Sequence, residues 1–513
     1  MPEPATVEVG LHTSDYVVIA LYTLVVLGIG FCFTRGKRDT DTYLLANRSV
    51  WWWLAGISYM VSLLSTISIV AVPGEAYKNG ATMAIGNVIA PFAAIATFYL
   101  FVRFYFTQKT FTPFEYLERR FDGSVRVVGA ALFWLTRLLY VAMVLYSSSK
   151  VFEGVSDWPV PLTIVLVGSV GVIYTVMGGI RAVIWSDLIQ FIVLAVGIVV
   201  VVIKATAAVP GGVIGVIEFA QQQDHLLPGV TSQEFYSVNP YLRVSLWLIA
   251  ASVLREFLFY HSADQIAIQR LLTTSSYRQA QRSMLTFVFL GLPVMFALWF
   301  VGLTMFCYYD RMPPALRPEQ GDLALFRFIG SELPAPLPGL IVAAMLAAVM
   351  STLDSGMNSL ATVATKDFYL RLVRKAATEI EQVRFSRIMT MATGIFAIVA
   401  GLALSQIATS IEDTIIEASS IWGAFMSVLP GLFLLGVTSR RATSTHVLIA
   451  TACGFATVGV MIAVYLYSKN SDQPLSFMAV SPPGLIVTLV VGYGLALTAP
   501  RRSRSQMKDQ TLF

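Results

Sequence analysis

The stretch VMSTLDSGMNSLATVATKDFY, residues 349–369, decides the fold of this chain. It continues an apolar run that starts near Leu337. Together they exceed the roughly 20 helical residues that cross a bilayer core. Yet the stretch holds Ser351, Thr352, Asp354, Ser355, Asn358, Ser359 and Thr362. Ser351, Ser355, Ser359 and Thr362 recur at steps of four, four and three, so they line one helical face, with Asp354 and Asn358 beside it. An unpaired carboxylate at membrane depth costs about 3 kcal/mol or more. That face must therefore meet water, protein or a cation. Hydroxyls are common where helices pack in membranes. Hydroxyl and carbonyl oxygens also suit a weakly held alkali cation, and Asp354 turns the balance toward an ion site.

Composition agrees with a bilayer setting. The 513 residues are 56% hydrophobic and 13% charged, and the mean hydropathy is +0.71. These values exclude an ordinary soluble domain and predict an all-α polytopic membrane protein. Apolar runs give about 13 transmembrane helices, near 15–33, 51–72, 81–106, 127–149, 161–178, 183–206, 242–262, 284–308, 338–364, 388–408, 415–437, 444–467 and 482–499. The first run follows no basic segment and precedes no small-residue cleavage site, so it is expected to be a retained helix. Cys32, Cys307 and Cys453 fall in or beside apolar runs without metal-ligand spacing and read as buried apolar residues.

The net charge of +5 does not call for nucleic acid, because the basic residues sit between spans. With the N-terminus outside, 24 of the 35 Lys and Arg fall on the inner side, eight on the outer side, and Arg103, Arg137 and Arg255 within spans. The positive-inside rule then gives N-out and C-in, in a plasma membrane, or the inner membrane of a bacterium. The loops 208–240 and 309–336 read as outer caps, and 112–122 as a short interfacial helix. The span 51–72 is interrupted by Ser58, Ser62, Ser65, Thr66 and Ser68, and 242–262 by Ser252, Arg255, Glu256 and His261. Paired broken helices point to a transport site at the midplane.

A second carboxylate follows Gly178 and Gly179, where Asp187 and Gln190 lie one to two turns into a new helix. Asp187 reads as a solvated helix start or, at the depth of Asp354, as a partner that shares a cation or a proton.

The stretches SYMVSLLSTISIVAVPGEAYKNG, YTVMGGIRAVIWSDLIQF, DQIAIQRLLT and AAVMSTLDSGMNSLATVATKDFY resemble the sodium:solute symporter family, in order over most of the chain. VPGEAY and STLDSGMNSLATV look most like the branch of the sodium/iodide, multivitamin and monocarboxylate symporters. The resemblance implies a core of two inverted five-helix repeats. Residues 1–50 then hold an extra N-terminal helix and the first cytoplasmic loop, 51–207 the first repeat, 208–240 an extracellular loop, 241–437 the second repeat, and 438–513 two further helices and a short basic tail. It implies Na+ as the coupling ion, on the hydroxyls of Ser351 and Thr352 and the carbonyls of Ala348, Val61 and Leu64. It also implies a second cation or proton site at Asp187, Asp354 and Ser355 with Ser351. Many members carry a small or hydroxyl residue where this chain has Asp354.

By the same resemblance the solute lies at the midplane, lined by Ser65, Ile67 and Ser68. Sugar carriers place amide or acidic side chains, and a lysine in helix seven, at positions that match Leu63, Ile67, Ser68 and Gly291 here. Arg137, costly within a span, reads either as a grip on a carboxylate or as the partner of Glu256 or Glu417. Some sialic acid symporters use an arginine about one turn on, near Tyr140. His261 faces the cavity or is a satisfied structural histidine, and Glu75 is a cap or gate residue. The expected function is sodium-coupled symport of a small organic solute, a carboxylate first and a neutral sugar, polyol or vitamin-like solute second. A channel would need a continuous polar pore, an enzyme shows no HExxH or GxSxG motif, and a sensor would append a signalling domain. Sodium ions, the solute and the lipid bilayer are the expected partners; oligomeric state is not legible.

Overall fold

The structure, a computed structural model, describes residues 11–33, 39–156, 158–407, 421, 423–501 and 510–511. The start of the expected span 415–437, with Glu417, lies outside them, as do Arg35, Lys37, Arg38, Arg502, Arg504 and Lys508. The regular elements among the described residues are all helices. The principal ones are α1 (Thr13–Cys32), α2 (Trp52–Leu63), α3 (Thr66–Asn79), α4 (Ile85–Gln108), α5 (Gly123–Ser156), α6 (Val160–Ala207) and α7 (Leu246–Ser262). They continue with α8 (Gln265–Leu272), α9 (Tyr277–Tyr309), α10 (Leu337–Val363), α11 (Glu379–Ile407), α12 (Leu429–Thr438), α13 (Ser444–Ser468) and α14 (Pro482–Ala496).

By length and composition nine helices among the described residues can cross a membrane, or ten if the bent pair α2 and α3 is one span. The sequence predicts about 13, and the difference has local causes. Helix α6 runs 48 residues and covers two expected spans, broken at Gly179 with φ +61°. A Cβ there would lie 2.7 Å from the Tyr43 ring, so glycine serves both the left-handed backbone and the close approach. Helix α7 has 17 residues and α12 only 10.

Helix α10 is the axis of the bundle. It packs against α1, α5, α6 and α11, and beyond Leu340 each of its residues is buried. Its entry is pinned by Asp15, whose carboxylate accepts from Gly339 N at 2.8 Å and from His12 N at 2.9 Å. Two helices are interrupted next to it. Leu64 and Ser65 are extended between α2 and α3, and the pair bends by 61°. Ala263 and Asp264 separate α7 from α8, with the Asp264 side chain accepting from Ile266 N as the cap. The sequence pointed to the first interruption; the second falls at Ala263–Asp264, just beyond 242–262, because Ser252, Arg255, Glu256 and His261 are accommodated within a continuous α7.

The expected short helix in 112–122 is Phe114–Arg120, with Phe114, Tyr116, Leu117 and Arg120 buried. Arg120 donates to the carbonyls of Gly436, Ser439 and Ala442, at the end of α12. Glu75 on α3 is 2% exposed and forms a two-pronged ion pair with Arg243, at 2.5 and 2.9 Å. The segment 208–240, read from sequence as a loop, holds the helix Gly212–Gln222 and folds back on α3. His225 Nε2 donates to the carbonyls of Ala76 and Tyr77, both at 3.0 Å, and its ring stacks on Phe306 at 3.7 Å.

Burial holds the His225 imidazole below its ordinary pKa of 6.5, against the two carbonyls that raise it. A depressed pKa means that the neutral ring fits the fold. Its stability contribution is full above about pH 6.5 and is lost as pH falls toward the folded pKa. Melting temperature in detergent should therefore drop more between pH 7.5 and 5 in the parent than in His225→Gln, which keeps a donor. Parallel drops would show that His225 is not the titrating contact.

Candidate functional site

The break after α2 lies against the polar face of α10. Ser351 Oγ donates to the carbonyls of Val61 at 3.2 Å and Ala348 at 2.9 Å, and Thr352 Oγ1 donates to Ala348 O at 3.1 Å. Val61, Ala348 and Ser351 are fully buried and Thr352 is 2% exposed. Leu64 forms the break itself. Two hydroxyls that can turn their lone pairs and two carbonyls drawn together make a neutral, hard-oxygen set. Such a set fits a monovalent hard cation. The residues named from the resemblance are thus neighbours in space.

About one turn along α10 lies a charged cluster. Ser58 donates to Asp187 Oδ2 at 2.5 Å. Tyr174 OH donates to Asp354 Oδ2 at 2.5 Å, and Ser355 donates to the other Asp354 oxygen at 3.1 Å. Ser62 and Ser355 share a hydrogen bond of 2.8 Å. Tyr174 and Asp187 sit on opposite sides of the Gly179 break, so the break brings both halves of α6 to one centre. Arg270, counted from sequence as an inner-loop charge, is fully buried here. Its Nη2 donates to Ser355 Oγ at 2.5 Å and lies 3.9 Å from Asp187. Asp187 Oδ1 and both polar atoms of the Gln190 amide are buried without hydrogen-bond partners among the described residues.

On the other side of the α2–α3 break opens a cavity of about 440 Å³. Ser65, Ile67, Ser68 and Arg137 line it as expected, together with Leu63 and Gly291. His261 does not line it. Its Nε2 meets Tyr59 OH at 3.0 Å and its Nδ1 meets Thr97 Oγ1 at 2.7 Å, so the ring is a satisfied packing element. Arg137 bonds neither Glu256 nor a solute-facing group. Its Nη2 donates to Asp264 Oδ2 at 2.6 Å, and its guanidinium lies 5.0 Å from the Tyr140 ring centre. Glu256 instead accepts from Tyr260 OH. Asn87, Arg255 and Glu256 also line the cavity, with the hydroxyl-bearing Tyr140, Ser252, Tyr260 and Ser481.

Sequence reasoning missed Asp264 and Arg270 as site neighbours. Both fall in DQIAIQRLLT, which reads as a loop by hydropathy. The signal was local: Asp264 is a helix cap, and Gln265, Gln269 and Arg270 are all buried on the eight-residue helix it starts. Removing one member of a buried ion pair strands the other at about 3–5 kcal/mol. Asp264→Ala should lower the melting temperature sharply, and Arg137→Met with Asp264→Leu should recover most of the loss. A double variant no more stable than Asp264→Ala would show that the pair is not the source.

Residues 43–454 match the family model of the sodium:solute symporter family. The sodium/sialic acid symporter NanT of Aliivibrio fischeri is 29% identical over 510 residues, 97% of this chain and 95% of that protein. A sodium-dependent multivitamin transporter of Oryctolagus cuniculus is 28% identical over 431 residues, 82% of this chain and 66% of that one. Of the two, the sialic acid symporter is similar over more of the chain, although the motifs look most like the multivitamin branch. A Na+-coupled sialic acid symporter, solved in a substrate-bound outward-open state with a novel Na+ site, superposes with a TM-score of 0.85 at 26% identity, covering 96% of this chain and 99% of that one. The proteins in this company are transporters, not enzymes. The chain is a multi-pass, sodium-coupled membrane transporter, a member of the sodium:solute symporter family.

Proposed function

We propose that the protein imports a small organic anion, a carboxylate, together with Na+ by alternating access. The observation that carries this reading is the position of the α2–α3 break. It borders the oxygen set of Val61, Ala348, Ser351 and Thr352 on one side and the lined cavity on the other. An ion held there fixes the break, and with it Ser65, Ile67 and Ser68 in the cavity wall. Leu64 contributes its carbonyl to the same ion. That shared segment is the physical coupling of ion to solute. Asp187, Asp354 and Ser355 form a second cation site, in which Asp354 adds charge and the unpartnered Asp187 Oδ1 supplies a free ligand. Arg137, paired with Asp264, ties α5 to the start of α8 beside the cavity, and His261 positions α2 through Tyr59.

The topology in this reading is thirteen spans, N-out and C-in, in the plasma membrane. The two halves of α6, the short α7, and α12 with its preceding residues make up the number beyond those counted by length. Residues 51–207 and 241–437 are the inverted repeats, each opening on a broken helix: α2–α3 and α7–α8. A neutral sugar, polyol or vitamin-like solute is the second reading. The Arg137–Asp264 pair favours it, since that pair removes one cation from the wall.

A thermal-stability screen of purified protein in sodium and in potassium tests both. Carboxylates that raise the melting temperature only in sodium support the first reading; neutral solutes that do so support the second. Ser351→Ala with Thr352→Ala removes two ligand oxygens, each worth roughly 1.5–3 kcal/mol toward a charged partner. Sodium affinity should fall at least about 100-fold, and normal sodium affinity in the double variant would sink the assignment. Asp354→Asn should lower the number of sodium ions moved per solute, read from charge-to-solute ratios in vesicles. An unchanged ratio would remove Asp354 from ion coupling.

A further inference from the structure

The cavity wall holds two arginines, and only one is neutralised. Arg137 has the Asp264 carboxylate at 2.6 Å and the rings of Phe133, Tyr140 and Phe259 within 6 Å of its guanidinium carbon. Arg255, on α7, has no carboxylate within ion-pair distance among the described residues. Its Nη1 donates to Gly423 O at 3.2 Å, and its Nε is buried without a partner. The adjacent Leu254 is 46% exposed on the outer side of the helix, whereas Arg255 and Glu256 both line the cavity. A Cβ on Gly423 would lie 3.3 Å from Arg255 Nη1, so the guanidinium packs directly over this glycine.

A guanidinium at the wall of a mainly apolar cavity, with donors left over, carries a desolvation cost that an anion relieves. Its planar fork matches a carboxylate with two parallel hydrogen bonds. Glu256 is different in kind. Tyr260 OH donates to one carboxylate oxygen, and the group can accept further hydrogen bonds from hydroxyl or N–H donors. Asn87 Nδ2, Trp299 Nε1 and Arg137 Nε are further donors on lining residues without a partner among the described residues.

We propose that Arg255, not Arg137, grips the carboxylate of the solute, and that Glu256 accepts from hydroxyl or N–H groups on the same molecule. The solute class is then a carboxylate decorated with hydrogen-bond donors, as in sugar acids, rather than a plain fatty or aromatic acid. This rests on the anion reading of the cavity above. Sodium held on α10 and the α2–α3 break offsets the incoming negative charge, so anion binding requires the ion.

The test is solute binding to the purified full-length protein in sodium, by thermal shift and calorimetry. The probes are N-acetylneuraminate, gluconate, glucitol (gluconate's neutral counterpart) and hexanoate (a carboxylate without hydroxyls). The hydroxylated carboxylates should bind, glucitol and hexanoate far more weakly. In Arg255→Gln their dissociation constants should rise roughly 10- to 100-fold, with partial recovery in Arg255→Lys. The sodium-induced shift of Arg255→Gln should persist, which shows an intact fold. In Glu256→Gln the preference for gluconate over hexanoate should narrow. Unchanged carboxylate affinity in Arg255→Gln overturns the assignment and leaves the anion reading standing. A parent protein that responds to glucitol but to no carboxylate, or to none of the four, overturns both.

Discussion

A polar helix face enclosed by protein is the constraint on which this structure depends. From Ser351 to Thr362, α10 presents hydroxyls, an amide and a carboxylate at a depth where water is scarce. Backbone and side-chain polar groups there must find partners within the protein. The solution is to surround α10 with segments that have polar groups of their own to place. The end of α2 brings Val61 O, Ser58 and Ser62; α6 brings Tyr174 and Asp187; α8 brings Gln269 and Arg270. Gln269 alone reaches Leu44 O, Asn358 and Thr362, and its carbonyl accepts from Ser359. The breaks at Leu64–Ser65, Gly179 and Ala263–Asp264 are consequences of the same need. Irregular backbone is tolerated in a membrane where it is covered by protein or lines a cavity, and each break puts polar groups near α10 or the cavity.

Charge follows the same logic. Arg137, Asp264, Asp187 and Arg270 are buried, and the structure sets them as opposites: Arg137 with Asp264, Arg270 near Asp187. Pairs of this kind contribute little net stability, but either member alone is expensive. They act as register marks that hold α5, α6, α8 and α10 in one arrangement. Arg255 stands apart from that scheme on the cavity wall, and the proposed grip on a solute carboxylate would give the exception a chemical use. Farther from the centre, Glu75 with Arg243 and His225 on the last carbonyls of α3 tie the far end of the bent helix to loop segments. In the proposed alternating-access cycle α3 moves relative to α10, with these ties at one of its ends and the proposed ion at the other.

What the sequence determined by itself was whatever depends on composition and helical period. Hydropathy alone identified a polytopic helical protein. The four-four-three spacing of Ser351, Ser355, Ser359 and Thr362 placed them on one face, and the serines of 51–72 marked the broken helix. Gly178–Gly179 marked the interruption within α6. These are local properties, fixed by the rise and twist of a helix and by the cost of polar groups in hydrocarbon. Only the tertiary structure decided the partners. Arg137 found Asp264 across 127 residues, where Glu256, with Glu417 outside the described residues, had been the candidate from sequence. Arg270, which looked like a loop charge, turned inward because its short helix is buried on all sides. His261 was settled by Tyr59 and Thr97, and Arg255 was set on the cavity wall by the rotation of α7. Helical periodicity says which residues share a face; it cannot say what that face meets, because the meeting is set by packing between segments far apart in the chain.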